Sequence, residues 1–344
     1  MYRVPRPSTS LICVFLLALG LFATLPAEAS SYRGVKIEWC WDPKLPSTFP
    51  IYQSFYIEVV YAPLGQRVGD TITETFDFGD GTSTPVILTV TEVRGDGVVA
   101  QGMIPQHEYP TGTRFIWAGL RDCCRDDGLN NRGGERLAAR VLVYAQGEEL
   151  CSPATGQPTT IWLSGHLGDT FEIPLPVDLG AGPNSFSPVF CRFATDDEAG
   201  GGPAPDGMSL DPASCSLTWT PTGGDANRLW TAQVQAEQYL SFGAFLVATT
   251  ALDFTLGLDA DRPACGAAGA GVLAQDERSG IARVEVLETV NATVQVPAFT
   301  PGTTAPLAIT GARTQRTGSS RVSLRLTDVA GNATECRFKI HKKN

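Results

Sequence analysis

The stretch 71-TITETFDFGDG-81, with 86-VILTVTEV-93 after it, decides the fold class of this chain. In both segments apolar and polar residues alternate, which is the period-two pattern of a strand with one buried face. Gly79-Asp80-Gly81 separates the segments and suits a tight turn, because Asp-Gly tolerates a positive φ. The stretch therefore predicts strands joined by a short turn rather than a helix.

Strands of the same kind recur outward from this stretch in both directions. No long amphipathic helix pattern interrupts them, and the chain has 36 Gly and 24 Pro but only 3 Met, which favours strands joined by turns. The further segments are 55-FYIEVVYA-62, 113-TRFIWAGL-120, 139-ARVLVYA-145, 230-WTAQVQAE-237, 251-ALDFTLGL-258, 283-RVEVLETV-290 and 321-RVSLRLTD-328. Many short strands with turns between them are typical of β-sandwiches, so the sequence predicts an all-β protein.

The first thirty residues have the pattern of a secretory signal peptide. Arg3 and Arg6 precede an apolar run over residues 11–25, and Ala27-Glu28-Ala29 supplies a small-x-small cleavage pattern. A retained membrane anchor is the alternative, but the run is short for a hydrocarbon core of ~30 Å. We therefore expect residues 1–30 to be removed and no transmembrane segment to remain. The exported chain is expected to be extracellular or at the cell surface.

The charge balance argues against two classes of partner. The chain has 26 basic and 36 acidic residues, which gives a formal net charge of −10. Nucleic-acid binding needs clustered Lys and Arg side chains that neutralise phosphates, and no such cluster is present. We therefore expect no nucleic-acid partner and no docking on anionic membranes.

The cysteines indicate disulfide bonds. One of the nine, Cys13, lies in the predicted signal peptide, and the other eight are Cys40, Cys123, Cys124, Cys151, Cys191, Cys215, Cys265 and Cys336. An even number in an exported chain favours disulfides. A zinc site would need CxxC pairs or Cys/His clusters, and the three histidines lie far apart in the sequence.

The adjacent cysteines constrain the pairing. We expect Cys123 and Cys124 not to bond to each other, because a bond between neighbours strains the peptide and neighbouring side chains on a strand point to opposite faces. Cys40 and Cys151 are then their partners, in either of two arrangements. Cys191–Cys215 and Cys265–Cys336 are predicted as bonds within single units.

One group of motifs resembles a known extracellular repeat. Phe76-Asp77-Phe78-Gly79-Asp80-Gly81 is followed by His107-Glu108-Tyr109-Pro110 and by Gly112-Thr113-Arg114-Phe115. Over residues 50–120 this resembles the polycystic kidney disease (PKD) repeat, although Phe76 stands where that family most often has Trp. The resemblance implies an immunoglobulin-like β-sandwich that serves as an interaction or spacer module and not as an enzyme.

Two later segments resemble other surface repeats. The segment 206-DGMSLDPASCSLTWTPTGG-224 is similar to immunoglobulin-like, cadherin-related repeats, and 327-TDVAGNATEC-336 is similar to the ends of bacterial immunoglobulin-like surface repeats. Together with polar boundaries near residues 155 and 259, these resemblances imply tandem immunoglobulin-like sandwiches and a bacterial source. The expected units are the signal peptide 1–30, a PKD-like sandwich 31–155, an immunoglobulin/cadherin-like sandwich 156–258 and an immunoglobulin-like sandwich 259–344.

The likeness to cadherins raises the question of calcium. The acidic residues considered as ligands are Asp196, Asp197, Glu198, Asp206, Asp211, Asp259 and Asp261. Calcium needs six to eight oxygens on rigid loops, and these residues form neither an EF-hand loop nor a DxNDN-like linker. Solvated acidic loops are therefore favoured, no cofactor or metal ligand is assigned, and calcium remains the alternative. Two N-glycosylation sequons begin at Asn291 and Asn332.

The sequence contains no catalytic motif. It has no GxSxG elbow, no HExxH helix and no plausible Cys/His pair, so no catalytic residue is assigned. We predict a non-enzymatic secreted or cell-surface protein that acts as a spacer, an adhesion module or a ligand-binding module, with an extracellular protein or carbohydrate as its partner. One alternative is a non-catalytic targeting component of a secreted hydrolase system. Another is a secreted enzyme whose site arises only from the fold.

Overall fold

The computed structural model describes most of residues 31–344. The ranges are 32–41, 52–63, 65–95, 97–110, 112–122, 124–131, 133–144, 150–157, 160–178, 188–201, 204–240, 245–315 and 317–340. The predicted signal peptide 1–30 lies outside these ranges, and so does Cys123.

The described residues confirm the all-β prediction. The strands are β1 (Tyr32–Trp41), β2 (Tyr52–Tyr61), β3 (Thr71–Asp77), β4 (Ser83–Val93), β5 (Val98–Glu108), β6 (Phe115–Asp122), β7 (Leu137–Tyr144), β8 (Ile161–Leu163), β9 (Phe171–Pro174), β10 (Val189–Phe193), β11 (Met208–Asp211), β12 (Ser216–Trp219), β13 (Trp230–Leu240), β14 (Phe245–Leu258), β15 (Ala264–Ala268), β16 (Gly271–Gln275), β17 (Ile281–Val290), β18 (Ala292–Gln295), β19 (Leu307–Arg313), β20 (Arg321–Asp328) and β21 (Ala333–Lys339). The single helix of these ranges is α1 (Asp196–Ala199), between β10 and β11.

Four sheets organise the strands of the described ranges. The largest follows the order β10-β13-β14-β1-β2-β5-β4-β3-β6-β7, and β8 pairs parallel with β14. The three smaller sheets have the orders β11-β12-β9, β15-β16-β19-β18 and β17-β20-β21. Three hydrophobic clusters lie between these layers, around Phe55 and Phe76, around Trp219 and Phe254, and around Ile309 and Leu324. Tandem sandwiches with separate cores account for this arrangement.

The pairing of β1 with β14 links the first two predicted units. Val35 lies opposite Asp253 and Ile37 lies opposite Ala251, in antiparallel register. Val247 and Ala248 on β14 pack in the first hydrophobic cluster, whereas Leu256 on the same strand packs in the second. Backbone hydrogen bonds therefore join the predicted units 31–155 and 156–258, and β14 contributes side chains to both hydrophobic clusters. The boundaries between the units stay a prediction.

Polar side chains cover the edge of the largest sheet at β7. The side-chain amide of Gln233 donates to the Ala138 carbonyl (2.9 Å) and that of Gln235 donates to the Arg140 carbonyl (2.8 Å). The backbone N–H of Leu142 donates to Oγ1 of Thr249 (2.8 Å). Because the free backbone groups of an edge strand attract other chains, these side chains complete the edge from within the molecule.

The disulfides correct one part of the cysteine prediction. Cys191–Cys215 and Cys265–Cys336 are present, and the second joins β15 to β21, the first and last strands of residues 259–344. Cys40, however, bonds to Cys151, so the expected bonds from these two residues to Cys123 and Cys124 are wrong. The physical reason is an antiparallel bridge that places Cys40 opposite Cys151, with their Cα atoms 4.0 Å apart. Cys124 is also disulfide-bonded.

Candidate metal centre

The motif around Phe76–Gly81 forms a closed packing unit in the first sandwich. The ring of His107 stacks on Phe78, with centroids 3.6 Å apart and planes 6° apart. The Tyr109 hydroxyl donates to the Phe78 carbonyl (3.3 Å). Gly79 has a φ of 79° and lies so close to the Trp117 carbonyl that a Cβ would not fit. The two motif segments are thus brought together by packing.

Asp80 is fully partnered inside this unit. Its Oδ2 lies 2.8 Å from Nε2 of His107, and its Oδ1 accepts from the backbone and the hydroxyl of Thr82. Burial raises the pKa of Asp80, but the bonds from Thr82 and His107 outweigh that effect, so the pKa lies below its ordinary value. A carboxylate satisfied in this way stabilises a turn and leaves no group free for chemistry.

Most of the acidic residues considered for calcium do not come together. Glu198 closes the capping box of α1 and pairs with Arg192 at 2.7 Å, while Asp211 accepts from the backbone of Ala213 and Ser214. Local structure therefore explains these two acids. Of the seven candidates, Asp259 alone belongs to the cluster that the structure forms.

That cluster consists of Asp259, Asp276 and Asp328. One carboxylate oxygen from each lies within 4.8 Å of the others, and the residues are 0, 4 and 2% exposed. Asp259 directly follows β14, Asp276 directly follows β16, and Asp328 ends β20. We call this group the aspartate cluster.

Backbone N–H groups hold each carboxylate in place. Asp259 accepts from the backbone of Asp261 (3.0 Å) and of Ser279 (3.1 Å). Oδ1 of Asp276 accepts from the backbone of Arg278 (3.1 Å) and of Gly280 (2.8 Å). These bonds are the side-chain-to-backbone turns that Asp typically forms, and Gly280, with a φ of 79°, provides the bend.

Asn332 ties the cluster to a neighbouring loop. Its backbone N–H donates to Oδ1 of Asp328 (2.7 Å), and its side-chain amide donates to Oδ2 of Asp328 (3.0 Å) and to the Asp259 carbonyl (2.8 Å). Its Oδ1 accepts from Ser164, which follows β8 (2.5 Å). Asn332 therefore links the aspartate cluster to the loop after β8, although it begins a sequon.

No described cationic side chain balances the negative charges of the aspartate cluster. Burial is the largest cause of a raised pKa at Asp276, and the negative charges of Asp259 and Asp261 add to it. The hydrogen bonds from the backbone lower the pKa but do not outweigh these effects. Burial, reinforced by Asp259 and Asp276, raises the pKa of Asp328 to about 6. Among the described residues, no Lys, Arg or His forms an ion pair with the three carboxylates, and Oδ2 of Asp276 accepts no hydrogen bond. Arg278 donates instead to the Leu258 carbonyl (3.1 Å) and lies 3.7 Å from Asp261.

A hard divalent cation fits this set of donors. Carboxylate oxygens are the ligands of Ca²⁺, Mg²⁺ and Mn²⁺, whereas zinc and copper prefer nitrogen and sulfur. Three carboxylates supply three to six oxygens, and Ca²⁺ accepts irregular sets of six to eight that include water. Asp276 and Asp328 were not among the acidic residues that the sequence suggested as ligands. The available signal was three Asp-led turns, 259-DAD-261, 276-DERSG-280 and 328-DVAGN-332, two of which contain a turn glycine.

A cleft of about 580 Å³ adjoins the aspartate cluster, and Asp276 lines both. Its walls come from β8, from the loop before β13 and from the turns after β14 and β16. Asp276 is therefore the member of the cluster that contacts the cleft.

Comparisons with known proteins do not assign a family. No protein-family model matches the chain, and no curated protein matches it in sequence. The human desmocollin-1 ectodomain aligns with a TM-score of 0.22 and 8% identity, covering 86% of this chain and 65% of the ectodomain. PcdhgB3 EC1-4 aligns with a TM-score of 0.20 and 11% identity, covering 85% of this chain and 81% of that one.

A fragment of protocadherin gamma B2, extracellular cadherin domains 3-6, aligns with a TM-score of 0.21 and 12% identity, covering 90% of this chain and 93% of the fragment. At TM-scores this low, none of the three similarities places the chain in a family. Within the described residues, no helix has the length and apolarity that a membrane span requires.

Proposed function

We propose that this chain is a non-enzymatic, secreted or cell-surface binding protein that holds a calcium ion at the aspartate cluster, where Asp259, directly after β14, meets Asp276 and Asp328. The observation that carries the proposal is the cluster itself: three buried carboxylates whose oxygens approach within 4.8 Å. Buried like charges without a cation are costly and must take up protons or a metal ion.

Calcium suits the cluster better than protons do. The pKa of Asp328 is about 6, so protons alone leave it negatively charged at neutral pH. Magnesium demands near-ideal octahedral geometry, whereas calcium accepts ligands from three separate turns. Extracellular calcium modules bind with dissociation constants of ~10⁻⁴–10⁻³ M, which fits a site of this kind outside the cell.

Two further features support an extracellular binding role. The disulfides, among them Cys40–Cys151, Cys191–Cys215 and Cys265–Cys336, suit an oxidising compartment. The ligand residues are at least nine-tenths buried, which leaves an ion there little room to bind a substrate. The PKD-like first unit, the bacterial source, the role as spacer or adhesion module and the alternative link to a secreted hydrolase system remain predictions from the sequence.

A calcium titration tests the proposal. Residues 30–344 are unfolded by urea in 5 mM Ca²⁺ and in EGTA, and calorimetric titration measures binding. We expect Ca²⁺ to raise the free energy of unfolding by about 2 kcal/mol, since ligand at tens of times the dissociation constant contributes that amount. Asp276→Asn should abolish the gain.

Asp211→Asn is the matched control, because Asp211 makes the same kind of turn outside the cluster. It should retain the full calcium response. A wild-type protein that is equally stable in Ca²⁺ and in EGTA would contradict the calcium site. Turnover of a polysaccharide, peptide, ester or phosphoester, abolished by one substitution with the fold intact, would contradict the non-enzymatic role.

A further inference from the structure

The cleft beside the aspartate cluster has an aromatic floor. Trp162 on β8 lies in parallel register with Gly257 on β14. A Cβ at Gly257 would come within 2.5 Å of Cε3 and Cζ3 of Trp162, so the indole lies directly against the glycine. Glycine inside a strand often marks such a close approach. Trp162 is half-buried and lines the cleft.

Polar groups of both kinds surround this floor. Arg278 is held by the Leu258 carbonyl, by Asp261 and by Oδ1 of Asn227, so its position is fixed. Arg262 is exposed and makes no hydrogen bond or ion pair with the described residues, which leaves its guanidinium available to a ligand. Gln275 adds an amide that can donate and accept.

The charges of the walls limit the class of ligand. Three arginines, Arg228, Arg262 and Arg278, face three acids, Asp261, Asp276 and Glu277, so the cleft has no dominant sign of charge. A ligand of strong net charge gains little from such walls. A saccharide has hydroxyls that donate and accept hydrogen bonds. It also has an apolar ring face on which an indole can stack. The volume of about 580 Å³ lies within the range of ~300–1,000 Å³ that is usual for small-molecule sites.

We propose that this cleft binds a neutral saccharide, with Trp162 as the stacking platform and Arg262 as a hydrogen-bond donor. The inference deepens the proposed binding function and rests on it. Asp276 connects the cleft to the calcium ligands, so bound calcium and bound saccharide occupy adjoining sites. Gly257 is a positioning residue, because its lack of a side chain allows the indole of Trp162 to lie against β14.

The test measures binding by calorimetry to residues 30–344 in 5 mM Ca²⁺. The probes are cellohexaose, xylohexaose, mannohexaose and chitohexaose as neutral saccharides, with hexagalacturonate as the acidic one. We expect at least one neutral probe to bind. Trp162→Ala should weaken that binding at least about tenfold, because it removes the stacking surface. Arg262→Ala should weaken it at least about tenfold without affecting the fold, since a hydrogen bond to a charged group contributes at least that much.

Matched controls separate the cleft from general effects. Trp117→Ala removes another half-buried tryptophan, and Arg114→Ala removes another exposed arginine, and neither residue lines the cleft. Both should leave binding unchanged. If no neutral probe binds, if only hexagalacturonate binds, or if Arg262→Ala and Trp162→Ala bind as well as the wild type, the saccharide site is refuted.

The same preparation is unfolded with and without Ca²⁺. A calcium response without saccharide binding refutes this inference and leaves the calcium site standing. Saccharide binding that Trp162→Ala weakens, without a calcium response, supports the cleft and refutes the calcium site.

Discussion

Two aspartate turns in this molecule form the same kind of backbone hydrogen bond, but the pKa of one carboxyl is lowered and that of the other is raised. Asp80 and Asp328 each accept a backbone N–H within four residues, and each is followed by a glycine with a positive φ. The pKa of Asp80 is lowered, because Thr82 and His107 outweigh its burial. The pKa of Asp328 is raised to about 6, because burial and two further aspartates outweigh Asn332. The groups that other strands bring to a turn therefore decide whether the pKa of its carboxyl is lowered or raised.

The largest expected effect comes from a matched pair of glycines. Gly79 and Gly280 both have a φ of 79°, and a Cβ at either would clash with a backbone carbonyl, of Trp117 or of Gly302. Alanine at either position should cost about 3 kcal/mol or more, because it adds steric overlap to a strained φ. Urea unfolding measures both losses.

Calcium distinguishes the two glycine variants. Gly280→Ala should lose the calcium response as well, because the Gly280 N–H positions Asp276 (2.8 Å). Gly79→Ala should keep it. If both variants responded to calcium like the wild type, the turn at Gly280 would have no part in the site.

The second effect is a pH dependence with an unusual sign. A carboxyl with a folded pKa of about 6 and an unfolded pKa of ~3.9 favours folding when protonated. Its contribution is fully present below pH ~4 and is lost as the pH rises through about 6. In EGTA at pH 7, Asp328→Asn should therefore be more stable than the wild type, by about 3 kcal/mol, and the gap should close towards pH 4. A gap that widened on acidification would contradict the pKa assigned to Asp328.

The smallest effect belongs to Asp80, and its sign is reversed. A lowered pKa contributes stability above the unfolded value of ~3.9, which is lost as the pH falls through the folded value. Asp80→Asn should cost about 1 kcal/mol at pH 7, the usual value of a hydrogen bond, and less below pH 4. Thermal unfolding at pH 7 and at pH 3.5 gives the two values, and Thr89→Ser, on the exposed face of β4, is a control that should show neither loss.

The sequence predicted what depends on local pattern. Alternation at residues 71–78 and 86–93 identified β3 and β4, and the turn between them contains Asp80 as expected. Cys265 and Cys336 were paired correctly because both lie in the terminal strands of one unit.

Features that depend on contacts between distant segments were not predictable. The residues of β13 are buried from Trp230 to Gln238. The alternation of polar side chains there therefore does not distinguish a solvent-exposed face from a buried face. Gln233 and Gln235 are polar and buried because they complete the edge at β7, which lies about 95 residues earlier in the chain. The aspartate cluster escaped prediction for the same reason, since its members come from three separate turns.

The bond between Cys40 and Cys151 has a mechanical consequence. It closes a loop with a sequence separation of 111 residues. At ~3.3–3.6 Å per extended residue, this loop has about 370 Å of contour length. A force on the two ends of the chain cannot extend it while the bond is intact. Tension applied at the start of β1 loads that strand and then passes across the covalent bond to the segment after Cys151, so the residues between the two cysteines carry none of it. If the protein holds two surfaces together, it lengthens under load only through residues outside the loop between Cys40 and Cys151.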